Sequence, residues 1–386
     1  MSDAPAGWLS ATEVCDLLGV RPQTLYAYVS RGVLNPRREG RRSYFQADEV
    51  DRLEPRRKRT LRPGRVEVSI DTAVTLIEPE GRLFYRGEDV QGIAAQWSFE
   101  RTAELLWTGR DKGEPKPWAV AADIPSSGRT LTDRLRATLA QLAATAPDVD
   151  ARPEAATKIG RRVLPQLVAA LPLVGTRVSE PRAPLAAQLW PRLSPLALTR
   201  SRAKALNCAL IVFADHQLVR STITARLAAS SQASPLDSVL TGMATHAGVG
   251  RYGFRTTIEE ALRVGSEPPG AYDHVAYDSR DPRADVLAPL IKPASSKPGW
   301  RAVELAVTDE RAPTADLAVA ALSVACDMVP TAAEAIYTIG RVAGLLAHIA
   351  EEYAHPAIFR PRVGYRGRAP FAAQAKPELA VAEHTA

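Results

Sequence analysis

The amino-acid sequence predicts a mostly α-helical protein that begins with a small winged helix-turn-helix domain. Three observations lead to this fold class. Two short amphipathic segments around a glycine turn open the chain, alanine-rich amphipathic segments fill most of the rest, and no repeat of about 20 to 50 residues indicates a solenoid. At 386 residues the chain is long enough for two or three domains.

The first two helices are predicted from their start and stop signals. Ser10 is a suitable N-cap, and Glu13 follows it three residues later, which is the pattern of a capping box. Pro22 suits the first turn of the next helix, and Gly32 ends it. Because the two helices are separated only by a turn at Gly19, they form a helix-turn-helix.

A basic segment follows the helix pair. We expect a two-stranded wing with Glu39 and Gly40 at its tip, then a third short helix that ends at Leu53. Arginines are concentrated between residues 37 and 62, although the net charge of the chain is only +6. This clustering favours an anionic partner, with nucleic acid the first candidate. Residues 54–65 are charged and proline-rich, and we interpret them as a linker.

Beyond the linker, the sequence predicts one β-hairpin around Gly81 and then helices. The clearest helices are 131–145, 201–218, 236–246, 315–328 and 332–352. The last of them is apolar nearly all round, so it should be buried. Arg341 lies in its middle and needs a carboxylate, which can come from a protein side chain or from a ligand.

Candidate chemistry lies in the loop that ends at Asp281. His274 precedes Asp281 by seven residues, and Arg283 follows it at the start of a predicted helix. A histidine that polarises a carbonyl and an arginine that binds a carboxylate suit an oxo-acid substrate. Asp316 falls in the first turn of a helix, where the helix dipole alone would favour a carboxylate. His216 lies at the end of an apolar helix, where it can be a capping histidine, a core histidine or a ligand-binding residue.

The first 53 residues resemble the DNA-binding domain of the mercury-resistance regulator (MerR) and excisionase-like families. The resemblance rests on Ser10, Glu13, Leu18, Gly19, Val20, Thr24, Leu25, Tyr28, the wing arginines, Val50 and Leu53. It implies that a set of recognition-helix residues faces the major groove, namely Arg21, Gln23, Thr24 and Tyr28. It implies that the wing contacts phosphates through Arg37, Arg38, Arg41 and Arg42. A helix-turn-helix used for protein contacts is the alternative.

The remainder of the chain, from residue 66 to about residue 367, resembles the citrate synthases. Six ordered motifs carry the resemblance: DTAVTLIEPEGRLFYRGEDVQGIAAQWSFERTAELLWTG, ADHQLVRSTITARLAAS, HVAYDSRDPRA, TAD, IGRVAGLLAHIAEE and IFRPRVGYRG. The resemblance implies a citrate synthase-like domain over residues 66–386, built from a large and a small helical domain, with the small domain at approximately 253–320.

The resemblance also implies roles for particular residues. His216 and His274 would bind oxaloacetate, with His274 donating a hydrogen bond to the ketone. Arg283, Arg341 and Arg360 would hold its carboxylates, and Arg360 would reach the site of the partner subunit. Asp316 would be the base that removes a proton from the methyl group of an acyl-CoA. These roles agree with the need of a dianionic substrate for several arginines.

One family element is missing. The loop histidine that donates to the thioester oxygen is replaced by Tyr252, with His246 six residues earlier as the alternative donor. Loss of such a donor costs about a hundredfold to a thousandfold in rate, part of which a tyrosine hydroxyl could recover.

Two functions follow from these residues. The first is an acyltransferase of the type found in the tricarboxylic acid cycle, which condenses acetyl-CoA or propionyl-CoA with oxaloacetate and carries a DNA-binding domain. The alternative is a DNA-binding transcriptional regulator whose synthase-like domain senses a di- or tricarboxylate or a CoA ligand. For either we expect a cytoplasmic homodimer with no metal, no cofactor other than the acyl-CoA substrate, and no membrane span, since no apolar run reaches about 18 residues.

Overall fold

The computed structural model describes residues 8–18, 22–30, 34–39, 42–46, 50, 70–78, 81–119, 121–146, 150–176, 180, 182–245, 253–272, 274, 276–277, 280–357 and 359. The chain divides into two compact units, Met1–Asp71 and Thr72–Ala386. The described part is mostly helical, which confirms the predicted fold class. The predicted linker, residues 54–65, lies outside the described residues.

The N-terminal unit combines two helices with a three-stranded antiparallel sheet. Its elements are β1 (Trp8–Ser10), α1 (Ala11–Leu18), α2 (Pro22–Ser30), β2 (Pro36–Glu39) and β3 (Arg42–Gln46). The strands lie in the order β1-β3-β2. The predicted wing is confirmed as the β2–β3 hairpin, in which Glu39 pairs with Arg42. Strand β1 was not predicted, because it exists only through its pairing with β3.

Two local features stabilise this unit. The capping box is confirmed, since the Ser10 backbone N–H donates to Glu13 Oε2 at 2.8 Å and the Glu13 N–H donates to Ser10 Oγ at 3.3 Å. A small apolar core then joins the helices to the sheet through Val14, Leu25, Leu34, Phe45 and Val50.

The second unit opens with the predicted β-hairpin and continues as helices. Its strands are β4 (Thr75–Glu78), β5 (Arg82–Tyr85) and β6 (Glu88–Asp89), in that order in an antiparallel sheet. Gly81, with φ of 95°, provides the left-handed turn between β4 and β5. The helices are α3 (Val90–Gln96), α4 (Phe99–Thr108), α5 (Leu131–Ala144), α6 (Pro153–Ala169), α7 (Leu185–Leu193), α8 (Arg200–Val212), α9 (Arg220–Ser230), α10 (Pro235–Ala244), α11 (Phe254–Val264), α12 (Pro282–Ala294), α13 (Lys297–Val307), α14 (Ala315–Ala325) and α15 (Ala332–Ala354).

Helix α15 lies at the centre of this unit and is buried along most of its length, as its apolar sequence predicts. Glycines let neighbouring backbone approach it closely. A Cβ at Gly340 would lie 2.8 Å from the carbonyl oxygen of Leu210 in α8, and a Cβ at Gly344 would collide with the Ala214 carbonyl. The loop after α8 is therefore held directly against α15.

Helices α11 to α14 pack on one another and bring distant parts of the sequence together. The segment before α14 pairs with the loop before α12 through an isolated antiparallel bridge between Tyr272 and Pro313. Helices α11 to α13 fall within residues 253–320, the predicted small domain, and α14 extends past residue 320 to Ala325; the bounds of that domain stay a prediction. Among the described residues, none of the helices is both long enough and apolar enough to cross a membrane.

Candidate active site

Two histidines from separate loops meet at the site. His216 follows α8, and His274 precedes α12; their ring centroids lie 5.2 Å apart. Nε2 of His216 lies 2.9 Å from the hydroxyl of Tyr277. Nδ1 of His274 accepts a hydrogen bond from the backbone N–H of Ala276 at 3.2 Å. The proton of the neutral His274 ring is therefore on Nε2, which makes that nitrogen a hydrogen-bond donor.

The environment keeps both imidazoles uncharged. Burial, assisted by the positive charge of Arg283, holds the pKa of His216 well below its ordinary value of 6.5. The same two causes lower the pKa of His274. At neutral pH each ring can then exchange hydrogen bonds without adding a positive charge to the site.

Arg283 is buried and held by the carboxylate that begins its own helix. Asp281 is the N-cap of α12, and its carboxylate accepts from Nε of Arg283 at 2.9 Å and from Nη2 at 2.8 Å. Oδ2 of Asp281 also accepts from the backbone N–H of Ala315 at 2.9 Å. Because Ala315 is the first residue of α14, one carboxylate ties Arg283 to the helix that carries Asp316.

The start of α14 is fixed by its N-cap, Thr314. The Thr314 hydroxyl accepts from the backbone N–H of Leu317, and the Thr314 N–H donates to the carbonyl of Ala271 at 2.9 Å. Asp316 is thereby placed in the first turn of α14, as the sequence predicts, with a side chain that is 16% exposed. The bond to Ala271 brings Asp316 to the loop that carries His274.

Arg341 is also buried, and the carboxylate that its position demands comes from the protein. Nη1 of Arg341 lies 2.9 Å from Oδ1 of Asp215. Its Nη2 donates to the carbonyl of Gln217 at 3.1 Å and to the hydroxyl of Thr222 at 2.5 Å. Nε of Arg341 has no partner in the described part of the chain. Since Gln217 adjoins His216, Arg341 lies beside the histidine pair.

Asp215 is the anchor of that arrangement. Its Oδ2 accepts from the Thr75 hydroxyl at 2.6 Å, from the Gln217 N–H at 3.0 Å and from Nε2 of His348 at 3.2 Å. Burial opposes ionisation, yet the charge of Arg341 and these hydrogen bonds hold the pKa of Asp215 below its usual range.

The sequence did not indicate Arg255, which the structure places against Asp316. Nη2 of Arg255 lies 2.8 Å from Oδ1 of Asp316, and Nη1 lies 3.2 Å from Oε1 of Glu334. The guanidinium covers the ring of Tyr337 at 3.3 Å from its centroid. Burial opposes the charge of Arg255, but the two carboxylates raise its pKa overall.

Sequence reasoning therefore found four residues that the structure brings together, His216, His274, Arg283 and Asp316, with Arg341 beside them. It missed Arg255, Asp215 and Tyr277. Asp215 precedes His216 directly, and the carboxylate requirement of Arg341 could have drawn attention to it. No spacing or cap in the sequence relates Arg255 to Asp316.

Several predicted site residues lie outside the described residues. They are Tyr252, His246, Arg360, Arg21 and Arg41, together with the side chains of Gln23, Thr24 and Arg42. In the N-terminal unit, Tyr28 is half-buried and packs against the small core. Arg37 and Arg38 are exposed on β2, and the guanidinium of Arg37 lies 5.4 Å from the ring centroid of Trp8.

Comparison with known proteins shows the family to which the chain belongs. The sequence matches the family described as citrate synthase, C-terminal domain, over residues 65–264 and 253–362. The chain belongs to the citrate synthase family. Residues 8–54 match a second family, described as helix-turn-helix domain. This citrate synthase family member therefore carries a helix-turn-helix domain ahead of its synthase-like unit.

Individual relatives are distant but nearly complete matches. The chain is 24% identical over 357 residues to citrate synthase from Mycolicibacterium smegmatis, covering 79% of this chain and 95% of that protein. The structure superposes on citrate synthase from Pyrobaculum aerophilum with a TM-score of 0.63 at 19% identity, over 80% of this chain and 92% of that one.

A second solved structure is the ternary complex of citrate synthase from Thermoplasma acidophilum with carboxymethyl coenzyme A and oxaloacetate. It matches with a TM-score of 0.61 at 17% identity, over 80% of this chain and 96% of that one. At these identities the structural likeness establishes the citrate synthase fold.

Proposed function

We propose that the synthase-like unit condenses an acyl-CoA, either acetyl-CoA or propionyl-CoA, with oxaloacetate. The observation that carries this proposal is the meeting of His274, Arg283 and Asp316, which three separate segments bring to one site. Asp281 joins two of these segments through its bonds to Arg283 and to Ala315.

The carboxylates of oxaloacetate would bind the buried arginines. Asp281 occupies Nε and Nη2 of Arg283, so Nη1 is the nitrogen left for a ligand. Nε of Arg341 is buried without a partner in the described structure, and a ligand carboxylate would satisfy it. In the homodimer that we propose, Arg360 of one subunit would bind a ligand carboxylate in the other.

The reaction would then use groups whose chemistry suits each step. Asp316 accepts a proton from the carbon next to the thioester carbonyl, which is the methyl group of acetyl-CoA or the methylene group of propionyl-CoA, and that carbon attacks the ketone carbon of oxaloacetate. The neutral His274 donates from Nε2 to the ketone oxygen as negative charge develops there. Water then hydrolyses the thioester and releases the CoA thiol. Tyr252 would donate to the thioester oxygen.

The direct test is thiol release from acetyl-CoA and from propionyl-CoA by purified protein with oxaloacetate. Asp316→Asn should lower the rate by at least about a hundredfold, because a carboxamide cannot accept the proton. Oxaloacetate binding, measured by calorimetry, should persist in this variant. Wild-type protein that binds oxaloacetate but releases no thiol would overturn the proposed reaction.

A second candidate function is supported by the ion pair between Arg255 and Asp316. A guanidinium on the candidate base suits a protein that binds the oxo-acid without turning it over, and the helix-turn-helix domain suits a cytoplasmic DNA-binding regulator. The two subunits of a homodimer would present two helix-turn-helix units to a palindromic operator. This function requires that oxaloacetate change the affinity for operator DNA. Equal affinity with and without oxaloacetate would exclude it.

A further inference from the structure

One guanidinium joins two carboxylates at the candidate base. Arg255 belongs to α11, Asp316 to α14 and Glu334 to α15, so the contact links three helices. The Arg255 and Asp316 side chains are 14% and 16% exposed, and Glu334 is 2% exposed. Ion pairs with so little access to water are screened weakly by salt.

The backbone as well as the side chain of Arg255 is fixed by Glu334. The Arg255 backbone N–H donates to Glu334 Oε2 at 3.2 Å. Gly253, with φ of 87°, permits this approach, since a Cβ there would lie 2.5 Å from the same oxygen. On the other side the guanidinium covers Tyr337. The position of Arg255 is therefore set before any ligand binds.

The contact with Asp316 is less complete than the contact with Glu334. Nη2 of Arg255 and Oδ1 of Asp316 are 2.8 Å apart, but the pair lacks the alignment of a hydrogen bond. Nε of Arg255 is buried and has no partner among the described residues. The arginine thus faces Asp316 mainly through its charge.

We propose that Arg255 is a positioning residue for Asp316, and that the ion pair, which Arg255 shares with Glu334, draws Oδ1 of Asp316 away from substrate. The inference rests on the proposed function for the role of Asp316 as proton acceptor. It adds that the ion pair restrains this base, so that release from Arg255 increases the rate of proton removal.

The charged and titratable groups around this cluster come from every element packed on it. In the described part of the chain they are Arg255 on α11, Asp316 on α14, Glu334 and Tyr337 on α15, Arg283 on α12, His274 in the loop before α12 and His216 in the loop after α8. Arg255 is the cation that contacts both carboxylates directly. Burial and the charge of Asp316 raise the pKa of Glu334, and removal of Arg255 takes away the charge that opposes this rise.

The first test measures how stability depends on pH in Arg255→Gln. A carboxyl group whose folded pKa is raised contributes stability below its ordinary pKa and loses it as the pH rises through the raised value. The melting temperature of Arg255→Gln should therefore fall below that of the wild type by about 5 °C more at about pH 8 than at about pH 5. Because the charge of Arg255 also lowers the pKa of His216 and of His274, both proteins are compared in a His216→Asn, His274→Asn background, in which these two titrations are absent.

Two further variants separate a charge effect from a loss of packing. Arg255→Lys keeps the positive charge. The difference in melting temperature between this variant and the wild type should therefore be nearly independent of pH. Arg311→Gln is the matched control. Arg311 also joins two carboxylates, Asp309 and Glu267, and its guanidinium lies 3.9 Å from the centroid of a tyrosine ring, but its side chain is 48% exposed. The Arg311→Gln variant should show no pH-dependent decrease in melting temperature, and its activity should equal that of the wild type.

The second test measures proton removal itself. The double variant Arg255→Gln with Glu334→Gln removes the cation and its second partner, so the net charge is conserved and Asp316 is left unpaired. Exchange of the acetyl-CoA methyl protons for deuterium is followed by mass spectrometry with malate in place of oxaloacetate, because malate has no ketone and cannot condense, and this exchange should accelerate by at least about threefold. The dissociation constant for oxaloacetate should change by less than about twofold.

The outcomes distinguish this inference from the proposed function. A decrease in the melting temperature of Arg255→Gln that is equal at both pH values, and that also occurs in Arg255→Lys, would overturn the positioning role. Exchange in the double variant that is no faster than in the wild type would overturn the restraint. Absence of exchange and of thiol release in every protein would instead exclude the proposed condensation, while the pH result would still decide whether Arg255 opposes the rise in the pKa of Glu334.

Discussion

Arg341 and Asp215 form an ion pair with almost no access to water. Nη1 of Arg341 lies 2.9 Å from Oδ1 of Asp215, and the two side chains are 1% and 0% exposed. Arg341 comes from α15, whereas Asp215 lies in the loop after α8 next to His216. The pair therefore connects a candidate substrate arginine to the loop that carries a candidate substrate histidine.

Removing the charge of Asp215 should destabilise the protein strongly. Asp215→Asn keeps the shape of the side chain but leaves Arg341 buried without its counter-ion, which costs about 3–5 kcal/mol in free energy of unfolding. Urea unfolding of the second unit provides the measurement. The exposed pair of Asp150 and Arg152, whose Oδ1 and Nε atoms are 2.8 Å apart, is the control, and Asp150→Asn should give no measurable change. An equal decrease in the free energy of unfolding in Asp215→Asn and Asp150→Asn would show that burial does not make the Asp215 ion pair more important for stability.

The same carboxylate should contribute to acid denaturation. The folded pKa of Asp215 is held below its ordinary value of 3.8, because Arg341 and the hydrogen bonds outweigh burial. A depressed carboxyl pKa contributes stability above the ordinary value and loses it as the pH falls through the folded value. The stability advantage of the wild type over Asp215→Asn should therefore shrink below about pH 4. An advantage that is constant from neutral pH to about pH 3 would exclude this assignment.

The histidine pair predicts a second pH window. Burial and Arg283 depress the folded pKa of His216 below 6.5, so the unfolded chain binds the proton first as the pH falls. Stability should then decrease as the pH drops below about 6.5, by up to about 1.4 kcal/mol per pH unit for one proton. His216→Asn should flatten this part of the profile, measured by urea unfolding.

Two helical glycines should respond oppositely to alanine. At Gly344 a new Cβ would collide with the carbonyl of Ala214 and with Oδ1 of Asp215, so Gly344→Ala should lower stability and weaken oxaloacetate binding through Asp215 and Arg341. At Gly92 in α3 a Cβ meets nothing within 4 Å, and Gly92→Ala should raise the free energy of unfolding by about 0.5–1 kcal/mol. Urea unfolding and calorimetry measure both effects. If Gly344→Ala changed neither the free energy of unfolding nor the affinity for oxaloacetate, the close contact would have no role in the site.

The wing arginines predict the salt dependence of DNA binding. Arg38 is exposed on β2, where a phosphate contact would carry no base specificity. Arg38→Ala should weaken binding to different DNA sequences about equally and reduce the slope of log affinity against log salt concentration by about 1. Fluorescence anisotropy with labelled duplexes at several salt concentrations gives this slope. A loss confined to one sequence would instead assign Arg38 to base recognition.

Local signals in the sequence predicted the elements that depend on local interactions. The capping box of Ser10 and Glu13 and the hairpin turn at Gly81 are formed by residues close in sequence, and both are confirmed. The end of one helix was predicted wrongly. The helix predicted over 201–218 ends at Val212, because the chain turns there to bury Asp215 beside α15, and Gln217 takes a φ of 54°. Strand β1 was missed because its pairing partner lies more than 30 residues away.

Periodicity, caps and ordered motifs are properties of the linear chain, so the fold class, the helix-turn-helix signature and the residue types of the candidate site could be predicted from the sequence. The partner of each charged group became known only from the packing of the folded chain. Arg341 required a carboxylate from the outset, but the choice of Asp215 came from the approach of the loop after α8 to Gly344. The contact of Arg255 with Asp316 depends on the packing of α11 against α14 and α15, which brings residues 61 positions apart to 2.8 Å. A buried charge is matched by whichever opposite charge the packed backbone brings near it, and no pattern within either segment specifies that match.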